Sequence, residues 1–231
     1  MTAWGRLQRS TLAALGAPVL SAAAASEPLV DLALVLAIDC SFSVSEASYD
    51  LQMRGFGEAF LDPEVQMVIA RGFHQRIAVA AFHWSDPDAQ HIVLPWQILA
   101  GASDAKSAAQ MFFNAPRDKK IGFTATGEAM LFGKRLLDKA PPAVRQVIDV
   151  STDGTSNSGI AAADARDQVV AEGITINALG ILDEEPFLAG HLERDVIGGN
   201  GAFLMTVDHF ADFGVAIRRK LIREISNSAA T

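Results

Sequence analysis

The sequence predicts an α/β fold: a doubly wound, mainly parallel six-stranded sheet with one antiparallel edge strand and helices on both faces. Three observations predict it. Nearly unbroken apolar runs, such as Asp-Leu-Ala-Leu-Val-Leu-Ala-Ile from Asp31 to Ile38, have the composition of strands covered on both faces. Stretches with apolar residues at helical spacing alternate with these runs. The chain has 231 residues, 50% of them hydrophobic and 20% charged, which is ordinary globular composition and enough for one domain with a real core.

In chain order, the first apolar run stops abruptly at Asp39. Ser45 to Phe60 has a Ser cap, an early Glu46, and apolar Tyr49, Met53, Phe56 and Phe60 on one face, with Asp62-Pro63 as a stop. This is the expected first crossover helix. Ile77 to His83 is a second strand, and the turn Ser85-Asp86-Pro87-Asp88 leads into a third from Gln90 to Leu94, ended by Pro95. So short a link makes the third strand antiparallel and an edge. Helical patterns follow at Ser103 to Phe113 and Gly127 to Lys139. A strand from Val144 to Val150 runs into Ser151-Thr152-Asp153-Gly154, then Ile160 to Glu172 is helical and Ile174 to Ile181 a strand. A last strand, Ala202 to Val207, precedes a last helix over roughly His209 to Ile225.

Residues 1–26 have a different composition from the rest. Arg6 and Arg9 are their only charges, and an uncharged run of 17 residues rich in Ala and Leu follows from Ser10 to Ser26. That is the layout of a secretory signal peptide, with small residues for cleavage at Ala22 and Ala24 or at Ala23 and Ala25. The run contains Pro18 and is shorter than the roughly 20 apolar residues of a spanning helix. The expectation is a leader over 1–26, a domain over 27–231, and export to the periplasm or outside the cell, with no membrane span after the leader is removed.

The net charge of −8 opposes binding to nucleic acid or anionic lipid. A single cysteine, Cys40, excludes an intrachain disulfide and a Cys-based zinc site. Its in-strand position reads as a buried, inert thiol. His74, His83, His91, His191 and His209 show no zinc-binding spacing. Arg218-Arg219-Lys220 with Arg223 reads as a solvated helix face, and Asp183-Glu184-Glu185 before Pro186 as acidic residues at a helix start.

In a doubly wound sheet, ligands bind where the strands' carboxyl ends open into a crevice. Two strands finish at an aspartate there. Asp39-Cys40-Ser41-Phe42-Ser43 sets a carboxylate and two hydroxyls at every second position, so that Asp39, Ser41 and Ser43 can share a side while Cys40 and Phe42 point away. Gly122-Phe123-Thr124-Ala125-Thr126-Gly127 offers hydroxyls in a loop opening a helix, and Thr152-Asp153-Gly154 supplies the second carboxylate. Hydroxyls with two carboxylates, and no His or thiolate, select Mg²⁺ or Mn²⁺ over zinc or copper.

These three segments, in order and spacing, resemble the metal-ion-dependent adhesion site of von Willebrand factor type A domains, the module of integrin I domains. The resemblance covers about residues 30–226. More narrowly, the leader, Asp-Cys-Ser-Phe-Ser-Val and Ser-Thr-Asp-Gly are similar to a bacterial exported group catalogued as domain of unknown function 1194. The resemblance implies Asp39, Ser41, Ser43, Thr124 and Asp153 as metal ligands, with Thr126 in a lesser place. It also implies that the third-loop carboxylate acts through water and that a partner protein's Glu or Asp completes the coordination, an acidic protein binding an acidic ligand because the metal inverts the local charge. The expected function is an exported, metal-dependent, protein-binding module of the adhesion type and not an enzyme.

Three other readings compete. Strand-end aspartates also cap following helices and turns. A Mg²⁺-dependent phosphohydrolase could use Asp39 as nucleophile, but position 41 is Ser where that chemistry wants a second carboxylate. The metal could also serve the fold alone. The segment Gly154 to Gly159 has no Gly-x-Ser-x-Gly elbow, and Gly198-Gly199-Asn200-Gly201 is not a dinucleotide fingerprint.

Overall fold

The first strand, β1 (Val30–Asp39), is buried at every position and lies between two parallel neighbours, β2 (Ile77–Trp84) and β4 (Ala143–Thr152). The computed structural model describes Met1 and residues 27–117, 122–183 and 185–226; apart from Met1, the expected leader lies outside them. Beyond β4 the sheet continues in parallel through β5 (Thr175–Ile181) and β6 (Leu204–Val207). Beyond β2 it ends on β3 (Gln90–Leu99), the antiparallel edge. The order β3-β2-β1-β4-β5-β6 is the six-stranded, doubly wound sheet that the sequence predicts.

The unbroken apolar run of β1 has a simple cause. Leu32, Leu34, Leu36 and Ile38 enter a core shared with helices α1 (Glu46–Leu61), α2 (Pro63–Ala70), α3 (Ala102–Phe113) and α7 (Phe213–Ser226). Ala33, Val35 and Ala37 enter the opposite core, under α4 (Thr126–Leu137) and α5 (Ala162–Val170). Both faces of the strand are therefore dry, so its pattern is continuous rather than alternating. Phe56 of α1 ties the first layer together, stacking on Phe112 of α3 at 5.2 Å and meeting Phe213 of α7 edge-on at 5.3 Å between ring centres.

Several elements differ from expectation. Asp62-Pro63 ends α1 but also starts α2: the Asp62 carboxylate accepts the N–H of Glu64 at 2.8 Å and of Val65 at 3.3 Å, and Pro63 takes the first helical turn, where its missing N–H costs nothing. Asp62→Ala should lower stability by about 1 kcal/mol in urea titration. Strand β3 runs through Pro95 to Leu99, because an edge strand tolerates a missing donor and the β2 pairing shifts register near Ala81, opposite Leu94. Between β5 and β6 lie a four-residue helix, α6 (Leu188–His191), and a wide turn over Leu192–Val196, both too short to leave a periodic signal. Helix α4 begins at Thr126 and β6 at Leu204, within two residues of the expected Gly127 and Ala202.

The basic cluster near the C-terminus is not all solvated. Lys220 is fully buried, its ammonium 2.5 Å from Asp149 of β4 and 2.6 Å from Glu224, whereas Arg218 reaches the surface carboxylate of Glu64 at 2.8 Å. A cationic head inside a helix face that packs on the sheet is invisible to residue type, which gives Lys and Arg the same solvated reading. Asp183 is not at a helix start either; it pairs with His209 at 2.8 Å and so raises the pKa of that exposed imidazole. Glu184 lies outside the described residues.

Candidate metal centre

The sheet reverses its winding between β1 and β4, whose carboxyl ends lie side by side with Ile38 opposite Ser151. That is the crevice position of an open α/β sheet. Asp39, the last residue of β1, and Thr152, the last of β4, therefore meet across it. The Thr152 hydroxyl donates to Asp39 Oδ2 at 2.5 Å, and the Ser41 N–H donates to Asp39 Oδ1 at 2.7 Å. The chain then turns, with the Val44 N–H on the Ser41 carbonyl at 3.1 Å, and delivers Ser43 to the third segment. Ser41 and Ser43 hydroxyls lie 3.3 Å apart, and the Ser43 hydroxyl donates to Asp153 Oδ1 at 2.7 Å. A run of hydrogen bonds, beginning at the Ser41 backbone N–H and continuing through the two serine hydroxyls, thus links Asp39, Ser41, Ser43 and Asp153.

Thr124 comes from the loop before α4. A Cβ built on Gly154 would meet Thr124 Oγ1 at 3.4 Å and Ser43 Oγ at 3.8 Å, so the three positions share one small space that a side chain at 154 would enter. The loop is pinned on both sides. Asn157 accepts the Thr124 N–H at 2.9 Å through its side chain and donates its own N–H to the Thr124 carbonyl at 3.0 Å, while the Phe42 N–H reaches the Gly122 carbonyl at 2.9 Å. All five residues singled out from the sequence are therefore gathered by the fold. Thr126, the lesser sixth, opens α4 with a buried hydroxyl that has no hydrogen-bond partner among the described residues.

The alternation expected along 39–43 holds only in part. Cys40 turns into the core with the α1 side, but Phe42 stands 83% exposed beside the crevice, because the turn after Ser41 breaks the extended geometry. Three supports escaped the sequence reading: the Thr152 hydroxyl, the Asn157 side chain, and Gln52 of α1, whose amide donates to the Asp39 carbonyl at 3.3 Å. Thr152 had a signal, since it ends a strand next to a strand-end aspartate. Gln52 and Asn157 had none, as their targets are set by folding alone.

Asp39 is wholly buried, and burial, followed by the charge of nearby Asp153, pushes its pKa up to about 7; hydrogen bonds from Thr152 and Ser41 pull the other way. Two carboxylates sharing a dry space with hydroxyls disfavour full ionisation until positive charge arrives. The donor set of two carboxylates with three hydroxyls is one that a hard, oxygen-seeking divalent ion fits. Among the described residues no group of three or more His, Cys, Asp or Glu side chains is placed to hold a metal, so any such ion would depend on the hydroxyls. The opening above is a cleft of about 160 Å³ lined by Phe42, Ser43, Phe123, Thr124, Asp153 and Glu185, among others. A larger hollow of about 800 Å³ between β3 and α3, lined by residues such as Lys106 and Met111, has no carboxylate in its wall and shares no lining residue with this cleft.

The family model described as "Protein of unknown function (DUF1194)" matches residues 29–229. The chain belongs to that family. No curated protein matches it significantly. Among solved structures, this DUF1194 chain is similar to proximal thread matrix protein 1 from the mussel byssus, in a form titled as having a zinc-occupied MIDAS motif (TM-score 0.56, 16% identity, 89% of this chain and 49% of that one). It is also similar to a von Willebrand factor type A structure from Catenulispora acidiphila (TM-score 0.57, 19% identity, 88% and 43%). A third likeness is to the vWF domain of the type V pili tip protein Mfa5 from Porphyromonas gingivalis (TM-score 0.59, 11% identity, 88% and 97%). The first two matches span about half the length of those proteins or less, and at these identities all three show the fold. The DUF1194 chain has the von Willebrand A fold.

Proposed function

We propose that this DUF1194 chain is an exported, non-catalytic recognition module in which Asp39, Ser41, Ser43, Thr124 and Asp153 hold Mg²⁺ or Mn²⁺. A protein partner is captured there through its own Glu or Asp carboxylate. The observation that carries the reading is the hydrogen-bonded run of side chains from Asp39 to Asp153, buried so deeply that Asp39 is pushed toward its neutral form. Such a cluster asks for a cation. When bound, the ion supplies the positive charge that a partner's carboxylate can meet in a partly dry cleft. The chain's own part is to hold the hydroxyls and carboxylates in place through Thr152, Asn157 and Gln52.

The relatives in the fold support the coarser reading, being a byssus matrix protein with zinc in its MIDAS motif and a pilus tip protein. Oxygen donors favour Mg²⁺ or Mn²⁺ over zinc in this chain. A phosphohydrolase is disfavoured because Asp39 has no exposed surface for a bulky phosphoester to reach, and because position 41 is Ser where that chemistry wants a second carboxylate. For export, residues 1–26 serve as a cleaved signal peptide, and the described residues contain no helix long and apolar enough to cross a membrane.

The test is capture of envelope proteins on the immobilised chain in Mg²⁺, in chelator, and with Asp39→Ala in Mg²⁺. Specific partners should appear only in the first. Identical catches in all three would overturn metal-bridged recognition. A metal serving the fold alone would instead show as a lower melting temperature for Asp153→Ala with capture unchanged.

A further inference from the structure

Of the phenylalanines in this chain, Phe56, Phe60, Phe82, Phe112 and Phe213 are fully packed inside, as burial of so much apolar area favours. Phe42, Phe73, Phe123 and Phe187 are largely exposed, and of these Phe42 and Phe123 stand at the candidate metal centre. These two are 83% and 65% exposed, and both line the cleft above it. Each sits on a ligand-bearing loop, Phe42 between Ser41 and Ser43, and Phe123 next to Thr124. The two loops are joined at this point by the Phe42 N–H on the Gly122 carbonyl at 2.9 Å, and the Phe123 N–H is held by Asp86 Oδ1 at 2.8 Å. The rings are therefore carried on hydrogen-bonded backbone, so that covering them orders two side chains and not the loops.

Across the same cleft, Glu185 also contributes to the wall, with Oε1 3.4 Å from the Thr155 hydroxyl. Its carboxylate places part of the chain's net charge of −8 at this cleft. A partner bringing a cluster of acids would meet repulsion from Glu185 and from the protein's field as a whole. A single carboxylate avoids that cost, and an apolar neighbour would bury the exposed rings.

Resting on the metal-site reading above, we infer that the partner presents one carboxylate flanked by an apolar side chain. The carboxylate enters the cleft and the apolar residue lies across Phe42 and Phe123, while Glu185 rejects acidic runs. The proposal names the partner's local chemistry: a protein loop with a lone Glu or Asp beside an aromatic or aliphatic residue.

The experiment pans a displayed library of cyclic peptides on the full chain in Mg²⁺ with chelator elution, and repeats it with the Phe42→Ser/Phe123→Ser double variant. Mn²⁺ titration of that variant checks the metal centre separately. Peptides from the unmodified chain should carry one acidic residue with an apolar neighbour, and their affinity should fall at least about tenfold on the double variant while Mn²⁺ binding persists. Glu185→Gln should admit peptides with adjacent acids. Selected peptides with a lone acid but no apolar preference, or with acidic runs, would overturn this inference and leave the metal reading standing. Chelator-eluted peptides without any acid would remove the metal reading itself. Loss of Mn²⁺ binding in the double variant would make the rings supports of the metal centre and overturn the inference as stated.

Discussion

Lys220→Met should destabilise the fold by about 3–5 kcal/mol in urea titration at neutral pH, with the cost growing as the pH rises. Lys220 has no exposed surface and is the positive member of a buried group that also holds Asp149 and Glu224, 2% and 1% exposed. Its ammonium hydrogen-bonds Glu224 at 2.6 Å and meets Asp149 at 2.5 Å as an ion pair rather than through a well-angled hydrogen bond. Asn177 of β5 donates to the same Glu224 oxygen at 3.0 Å and accepts the Phe203 N–H at 2.9 Å, so the cluster also fixes the approach to β6. Arg145 reaches the Glu224 backbone carbonyl at 2.6 Å. Methionine matches the length of the lysine stem but leaves two carboxyl groups in a dry space with no ammonium between them. Removing one partner of a buried ion pair is costly because the other charge stays behind. The variant should recover stability as the pH is lowered, since protonation then relieves the repulsion. A cost below about 1 kcal/mol at pH 8 would mean that the cluster does not hold α7 to the sheet.

The second large effect joins pH to metal. In chelator, the chain should lose stability steadily as the pH is raised from 5 to 8. Asp39 and Asp149 are the cause: burial, reinforced by Asp153 in one case and by Glu224 in the other, pushes each from 3.8 up to about 7 in the folded protein. The folded state therefore binds protons more tightly than the unfolded chain does between those two values. Stability contributed in this way is complete below the unfolded value of 3.8 and is lost as the pH climbs through about 7. Mg²⁺ or Mn²⁺ should act in the opposite sense, because a metal binds the ionised carboxylate and competes with the proton for it. At a concentration about 100 times its dissociation constant the ion should add about 2.7 kcal/mol to the folded state, with most of that gain at pH 8 and little at pH 5. Melting curves at several pH values with and without the ion give the answer. Asp39→Ala should abolish the gain from metal and flatten part of the pH slope, leaving the share due to Asp149 in place. A chain whose melting temperature is indifferent to Mg²⁺ and Mn²⁺ at every pH would remove the metal centre.

The fold was largely legible because its signal is local. Each central strand is dry on both faces, so Asp31 to Ile38 had to be written as a continuous apolar run, and the helices had to show one apolar face. Pro95 misled even though its strand already read as an edge: an edge strand tolerates the missing donor, and pairing with β2 resumes beyond it after a register shift near Ala81 that only the assembled sheet shows. Asp62-Pro63 read as a stop was half the truth, since the same two residues serve equally as a start.

What the sequence determined by itself was which oxygens could gather. Strand ends in a doubly wound sheet fall at one edge, so Asp39 and Asp153 at the ends of the first and fourth strands, with Ser41, Ser43 and Thr124 on the loops, could be assigned to the same edge; that they meet follows from β1 and β4 being neighbours in the sheet. What only the tertiary structure decided was everything that depends on distance across the chain. Thr152 holds Asp39, Asn157 holds Thr124, the turn after Ser41 throws Phe42 outward, and Lys220 goes inside among carboxylates instead of out into water. The physical reason is the same in each case. Backbone periodicity and strand order are written in neighbouring residues, whereas the partner of a polar side chain is whichever group the closed core brings within hydrogen-bond reach.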